Sequence, residues 1–227
     1  ELAKGPNGNF DNLPVLTARQ VVGGGCRAQA KCYICGSLDR ERLVYMYLKH
    51  HSTLLKHGGM VLHFAPEPTL SQKLKSNSAI DYITADLQPG RADQVIDMTD
   101  IPFAENTFDF IIANHVLEHI PDHKKAMAEL KRVLKKGTGR AILQVPISLN
   151  SSESLEDLSI TTDAARLAAY GQEDHVRLYG QNYPEILTNA GFKVDKFDWH
   201  SCSALYPNKH NKFGFIEQEI MFVVETI

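Results

Sequence analysis

Nothing in this chain of 227 residues approaches the roughly eighteen consecutive apolar residues that a membrane helix needs, so no bilayer-spanning helix and no membrane partner are expected. No excess of one charge is present either: 24 Lys and Arg stand against 27 Asp and Glu, a formal net charge of −3. Dedicated nucleic-acid binders carry a strong basic balance or stripe, so no nucleic-acid partner is expected. Four cysteines (Cys26, Cys32, Cys35, Cys202) are too few for a disulfide framework in a chain this long and suggest a reducing, cytoplasmic setting. Neither a signal-peptide pattern nor an internal repeat is present. What is plentiful is apolar residues, 43% of the chain, which suits one domain with a full core or one domain plus a small appendage.

Residues 1–37 are rich in Gly, Asn and Pro, with Gly23-Gly24-Gly25 in the middle, and read as an irregular N-terminal arm with little core of its own. Within it Cys32-Tyr33-Ile34-Cys35-Gly36 has the spacing of a zinc knuckle. A structural zinc needs four ligands, and Cys26 with one of His50, His51 or His57 would have to complete the set. Thiols packing under the first helix explain the spacing as well, and no metal site is assigned. Leu43, Val44, Tyr47, Leu48 and Leu55 form a helical stripe over 38–55. The charges of that helix (Asp39, Arg40, Glu41, Arg42) read as a solvated face, or as part of a lid if arm and helix cover a cleft.

From Met60 onward strands alternate with helices. Strands are expected at 60–65, 80–86, 93–97, 108–114 and 139–146. A helix starts at Pro121-Asp122, buries Ala126, Leu130, Val133 and Leu134, and ends at Gly137. Its cations Lys131, Arg132, Lys135 and Lys136 suit the negative end of a helix and need no phosphate to explain them. Helices at 162–170 and 181–190 precede two strands, 192–199 and 216–224, joined near Pro207. Two strands joined without a helix pair antiparallel if adjacent. The expected fold is α/β: a doubly wound, Rossmann-like, seven-stranded sheet, mostly parallel with an antiparallel last strand. Residues 38–227 form the main domain, and 148–180, after the fifth strand, form a lid or substrate segment.

The first β–α–β unit runs from Val61-Leu62-His63-Phe64 through the turn Ala65-Pro66-Glu67-Pro68 to Tyr82-Ile83-Thr84-Ala85, and ends on Asp86. A carboxylate in that place accepts hydrogen bonds from the two hydroxyls of a ribose. A dinucleotide would need a Gly-rich turn whose N–H groups approach the pyrophosphate. Here two prolines remove donors and Glu67 sets a negative charge against phosphate, which disfavours NAD, FAD and ATP. S-adenosylmethionine is a nucleoside with a sulfonium, an α-ammonium and no phosphate. Against its cationic groups Glu67 is attractive, by about a few kcal/mol at 4 Å before desolvation.

Several segments in order then resemble the class I S-adenosylmethionine-dependent methyltransferases, the type 11 group in particular. The turn after Phe64 stands where that family has its first, usually Gly-rich, motif, and Asp86 stands at its ribose-binding acid. Ile96-Asp97-Met98-Thr99-Asp100-Ile101-Pro102-Phe103 resembles the adenine-side motif. Residues 108–120, from Phe108-Asp109-Phe110 to Leu117-Glu118-His119-Ile120, resemble the fourth strand and its exit loop. Leu130-Lys131-Arg132-Val133-Leu134-Lys135-Lys136-Gly137 and Gly191-Phe192 resemble later segments. The Cys-x-x-Cys-Gly-Ser arm, the Ala-Pro-Glu-Pro turn and Gly171-Gln172-Glu173-Asp174-His175-Val176-Arg177 resemble a narrower subgroup, loosely associated with sugar or natural-product chemistry.

The resemblance implies S-adenosylmethionine as cofactor and methyl transfer to an oxygen or nitrogen of a small-molecule substrate. It places Asp86 on the ribose, Leu87 against the adenine, Asp97 on the adenine amino group and Met98 on the ring. Asn114 and His115 line the methionine end. His63, Ala65 and Glu67 occupy the first motif, with His63 in place of the usual strand-end acid and Glu67 reaching the methionine amine directly or through water. Methyl transfer mainly requires alignment and exclusion of water. Where a base is needed, His175 and His115 are the candidates, with Arg177 paired to Glu173 or to an acidic substrate. His119 reads as structural. The altered first motif leaves an alternative, a non-catalytic methyltransferase-like binding or regulatory module. The arm before residue 38 is long enough to exchange between subunits in a homo-oligomer.

Overall fold

Val61, Leu62 and Phe64 alternate across a strand that the chain buries on both faces, Gly59–Phe64, and the sheet grows outward from it. The computed structural model describes residues 2–3, 13–24, 30–202 and 213–227. In chain order these carry β1 (Leu2–Ala3), α1 (Pro14–Ala18), β2 (Val21–Val22), β3 (Lys31–Cys32), α2 (Asp39–His51), α3 (Leu54–His57), β4 (Gly59–Phe64), α4 (Pro68–Lys75) and β5 (Ile80–Asp86). Then follow β6 (Gln94–Val95), β7 (Phe110–Asn114), a 3₁₀ turn (Leu117–His119), α5 (His123–Val133), β8 (Arg140–Gln144) and β9 (Ile147–Ser148). The chain ends with α6 (Asp163–Tyr170), α7 (Tyr183–Asn189), β10 (Phe192–Asp198) and β11 (Ile220–Thr226).

The main sheet has seven strands in the order β10-β11-β8-β7-β4-β5-β6. Strands β6, β5, β4, β7 and β8 are parallel neighbours, and β11 runs antiparallel to both β8 and β10. This is the doubly wound, Rossmann-like arrangement that the alternation of strands and helices predicts. Val61, Phe110, Ile112 and Ile142 meet α2 and α4 on one face. Leu62, Ile111, Ala113, Ala141 and Leu143 meet α5 and α7 on the other.

Local chemistry fixes the ends. Asp122 caps α5 by accepting from the Lys125 N–H, and Ala126, Met127, Leu130 and Val133 supply its buried stripe. Two of the cations at the end of this helix bind within the protein. Lys135 Nζ donates to both carboxylate oxygens of Asp109 at 2.8 Å, and Arg132 binds Glu129 and the carbonyls of Ile101 and Phe103. The single helix expected over 38–55 breaks at Ser52, which is extended and whose Oγ accepts from the Leu54 N–H.

The charged face of α2 is not solvated. Asp39 and Glu41 are buried, and Glu41 reaches the start of α4, where it accepts from the N–H groups of Thr69 and Leu70. Arg42 donates to the carbonyls of Ala30, Ser37 and Phe213. These side chains extend the apolar stripe of α2 by one turn toward its start, so they face inward with it.

The chain crosses from β6 to β7, on the other side of β4. The crevice of the fold therefore opens beyond the carboxyl ends of β4 and β7. Over it lies the described part of the N-terminal segment, which carries only short elements. Strand β2 pairs with β9, Ser148 Oγ donates to the Arg19 carbonyl at 2.7 Å, and α1 packs on α6. Cys32 is partly buried and Cys35 is exposed. Cys26 and the loop near Pro207 lie outside the described residues. Among the described residues, no helix is long and apolar enough to cross a membrane.

Candidate functional site

The turn after β4 keeps the shape of a Gly-rich loop without its glycines. Ala65 sits at φ +47°, in the left-handed region that favours glycine, and its N–H donates to the Ala85 carbonyl at 2.8 Å. Glu67 follows at 6% exposure, with both carboxylate oxygens engaged. Asn114 Nδ2, at the end of β7, donates to Oε1 at 2.7 Å. Arg40 Nε, from α2, lies 3.3 Å from the same oxygen, and His63 Nε2 lies 3.1 Å from Oε2. Because a carboxylate only accepts, the proton of that last bond sits on His63 Nε2, and Nδ1 meets the Tyr82 hydroxyl at 2.7 Å. Burial alone would raise the Glu67 carboxyl. The hydrogen bond and charge of His63, with the charge of Arg40, outweigh it and hold the group below the usual carboxylate range.

Two expectations change here. His63 is fully buried, so it meets no ligand from the crevice and instead holds Glu67 in place. Glu67 has both oxygens paired, as a carboxylate buried this deeply must. Arg40, read as solvated, is one of its partners, and it also lines the cavity beside the site.

Asp86 stands at the carboxyl end of β5, half-buried, with Oδ1 accepting from the Gln88 N–H. Leu87 beside it is 67% exposed. Asp97 is exposed and accepts from the Thr99 N–H, whereas Met98, expected on the adenine ring, packs in the core with Ile96 and Ile101. Leu87 and Val95 therefore offer open apolar surface on this side.

A cavity of about 260 Å³ opens on the β7 side. Its lining includes Arg40, His115, Glu118, His119 and His175, with Gly23 and Gly24 of the N-terminal segment. His115 sits at φ +59°, its N–H donating to the Gln144 carbonyl at 2.8 Å. The arm comes so close that a Cβ on Gly23 would lie 3.1 Å from His115 Cε1. Segment 148–180 contributes Tyr170, Gly171, Gln172 and His175 to the lining.

His175 is buried beside His119, ring centroids 4.7 Å apart, and burial with the neighbouring imidazole pushes it down to about 4. It is therefore neutral at ordinary pH. His119 Nδ1 lies 3.2 Å from Asp174 Oδ2. Glu118 is 1% exposed, and burial pushes its carboxyl up to about 8. His115 Nδ1 lies 3.4 Å from its Oε1.

Glu118 was not singled out in the sequence, and His119 was read as structural. Both sit in a 3₁₀ turn that has no periodicity to expose them. Arg177 does not meet Glu173. Fully buried, it binds Glu156 and the carbonyls of Leu117, Ile120 and Pro121.

Residues 50–142 match the family described as Methyltransferase domain. A search of curated proteins finds no match to the chain. Among solved structures the chain resembles YcgJ of Bacillus subtilis, with a TM-score of 0.53 at 13% identity over 83% of this chain and 99% of that one. It resembles the [4+2]-cyclase SpnF at 0.53 and 14% identity over 82% of each chain. It also resembles phosphoethanolamine N-methyltransferase 2 of Haemonchus contortus in complex with S-adenosyl-L-methionine, at 0.52 and 14% identity over 84% of this chain and 53% of that one. At such identities these likenesses establish the fold. The methyltransferase-domain match over residues 50–142, carried on this fold, supports an S-adenosylmethionine-dependent methyltransferase.

Proposed function

We propose that the chain moves a methyl group from S-adenosylmethionine to an oxygen or nitrogen of a small molecule. The cavity beside the ends of β4 and β7 carries this reading: at about 260 Å³ it suits a compact acceptor, and imidazoles line it. The cofactor runs along the strand ends, with its ribose on Asp86, its adenine against Leu87 and its amino group on Asp97. Its methionine end carries a carboxylate and an ammonium together, and the Arg40–Glu67 pair offers the complementary two charges within one contact. Asn114 and His115 complete that end.

Catalysis needs little covalent chemistry from the protein. Holding the acceptor in line with the S–CH₃ axis and keeping water away supplies much of the acceleration. His175 or His115 takes the acceptor proton. A neutral His175 with a depressed pKa is a free but weak base, better matched to an acidic hydroxyl or an amine than to an aliphatic alcohol. The resemblance to a subgroup associated with sugar and natural-product chemistry favours such small acceptors.

The reading is tested with methyl-labelled S-adenosylmethionine and a panel of amino sugars, phenols and small hydroxy acids. Label is expected in a low-mass product. Label found only in added protein or RNA would contradict the small-molecule assignment.

A further inference from the structure

The proposed methyl transfer requires no more than one base in the cavity, yet the chain brings three ligand-type side chains to one point of its wall. Glu118, His119 and His175 place a donor atom each within 4.8 Å of one another. We infer that these three residues form a binding site for a divalent transition metal ion of the zinc class, with an open coordination position facing the cavity.

Buried polar atoms without partners are the first support. Glu118 is 1% exposed, and neither of its carboxylate oxygens has a hydrogen bond; Oε1 stands 3.4 Å from His115 Nδ1. Buried carboxylates in folded proteins are paired or coordinate metals. His175 is 6% exposed, and its Nδ1 is likewise without a partner.

The second support is the scaffold. Glu118 and His119 lie in the 3₁₀ turn after β7, whereas His175 lies in the loop after α6. Two sets of bonds hold these segments in register. The Val176 N–H donates to the Glu118 carbonyl at 2.9 Å, and the Arg177 guanidinium binds the carbonyls of Leu117, Ile120 and Pro121. Residues 176 and 177 thus hold the loop that carries His175 against the turn that carries Glu118 and His119.

A third support lies outside the donors. Asp174 Oδ2 lies 3.2 Å from His119 Nδ1, which fixes that ring and leaves Nε2 to bind. Carboxylate–histidine–metal relays of this kind orient ligating imidazoles in general. Donors at about 2.0–2.2 Å from a tetrahedral ion stand about 3.4 Å apart, so side-chain rotations on the order of 1 Å close the set. Two imidazoles and one carboxylate select zinc, cobalt, nickel or ferrous iron over the oxygen-seeking magnesium and calcium. Three protein ligands leave a position for water or for an oxygen or nitrogen of a molecule in the cavity.

The test uses the untagged full chain, dialysed against chelator and titrated with Co²⁺ as a spectroscopic probe, followed by competition with Zn²⁺. One equivalent of Co²⁺ per chain is expected, giving visible d–d absorption without a thiolate-to-cobalt band, and Zn²⁺ should bleach it. Glu118→Gln and His175→Ala should each weaken Co²⁺ binding at least tenfold, whereas a Cys32→Ser, Cys35→Ser double variant should bind as the parent does. If either site variant folds poorly, the half-exposed His119→Asn replaces it, with thermal melting confirming the fold. Absence of the d–d spectrum, its persistence unchanged in the site variants, or a thiolate band lost with the two cysteines would each overturn the site. S-adenosylhomocysteine binding is measured on the same samples. Its failure alone would count against the proposed methyl transfer and leave the metal site standing.

Discussion

Arg40 Nε lies 3.3 Å from Glu67 Oε1, and this contact ties the helix before the sheet to the turn that follows β4. The carboxylate is buried and held from three directions, so the turn keeps a fixed charge where a Gly-rich loop would offer backbone N–H groups. An anion so placed repels phosphate and suits a zwitterion that brings its own cation and anion.

If the pair receives the methionine end of the cofactor, both halves matter. Arg40→Gln and Glu67→Gln should each weaken S-adenosylhomocysteine about tenfold, or ~1.4 kcal/mol. The double variant should lose less than the sum, because the two side chains share one interaction. Isothermal titration reads this. Unchanged affinity in both single variants would remove the pair from the site.

Ala65 stores strain at φ +47°. A non-glycine residue there costs about 1–2 kcal/mol, part of which glycine returns through its greater freedom in the unfolded chain. Ala65→Gly should therefore stabilise the protein by ~0.5–1 kcal/mol, seen as a rise of about 1–3 °C in the melting midpoint. A fall in the midpoint would mean that the turn is not held in the left-handed region.

Arg177 is fully buried and joins the wall of the cavity to the 3₁₀ turn below it. Arg177→Met would strand the carbonyls of Leu117, Ile120 and Pro121 and leave Glu156 without its partner. A loss of ~3 kcal/mol in urea unfolding is expected. A loss below about 0.5 kcal/mol, the size of an ordinary surface change, would contradict this role.

His123 gives a pH signature away from the site. It is 7% exposed, its Nδ1 meets the Tyr179 hydroxyl at 2.7 Å, and burial together with Arg177 pushes it down to about 4. An unfolded histidine takes a proton near pH 6.5, while the folded one stays neutral until about 4. Below 6.5 the unfolded state thus binds more protons, and stability falls as the pH drops toward 4, by at most ~3 kcal/mol. His123→Phe should flatten this part of the stability profile. An unchanged slope between pH 6.5 and 4 would refute the burial of a neutral imidazole there.

How far the sequence carried can be judged from particular residues. Ile80–Asp86 is a strand with the bounds its apolar run implied, and the ends of β4, β7 and β8 differ from expectation by at most two residues. Period and turn chemistry decide such elements locally. Arg40 was misread because the buried stripe of α2 was taken to begin at Leu43; one helical turn earlier, Arg40 shares the face of Val44. Glu118 carries no local signal at all. Its burial is imposed by a loop nearly sixty positions away, through the Val176 N–H and the Arg177 guanidinium. Position in the sequence likewise could not show that His63 would lie beneath Glu67 instead of beside the ligand, since a strand residue faces one side or the other by register alone.

The most direct test of the central claim is a calorimetric titration of S-adenosylhomocysteine into the parent chain and into Asp86→Ala. One-to-one binding is predicted for the parent, weakened at least tenfold when the ribose-facing carboxylate is removed. No measurable heat from the parent, or equal affinity in the two proteins, would contradict it.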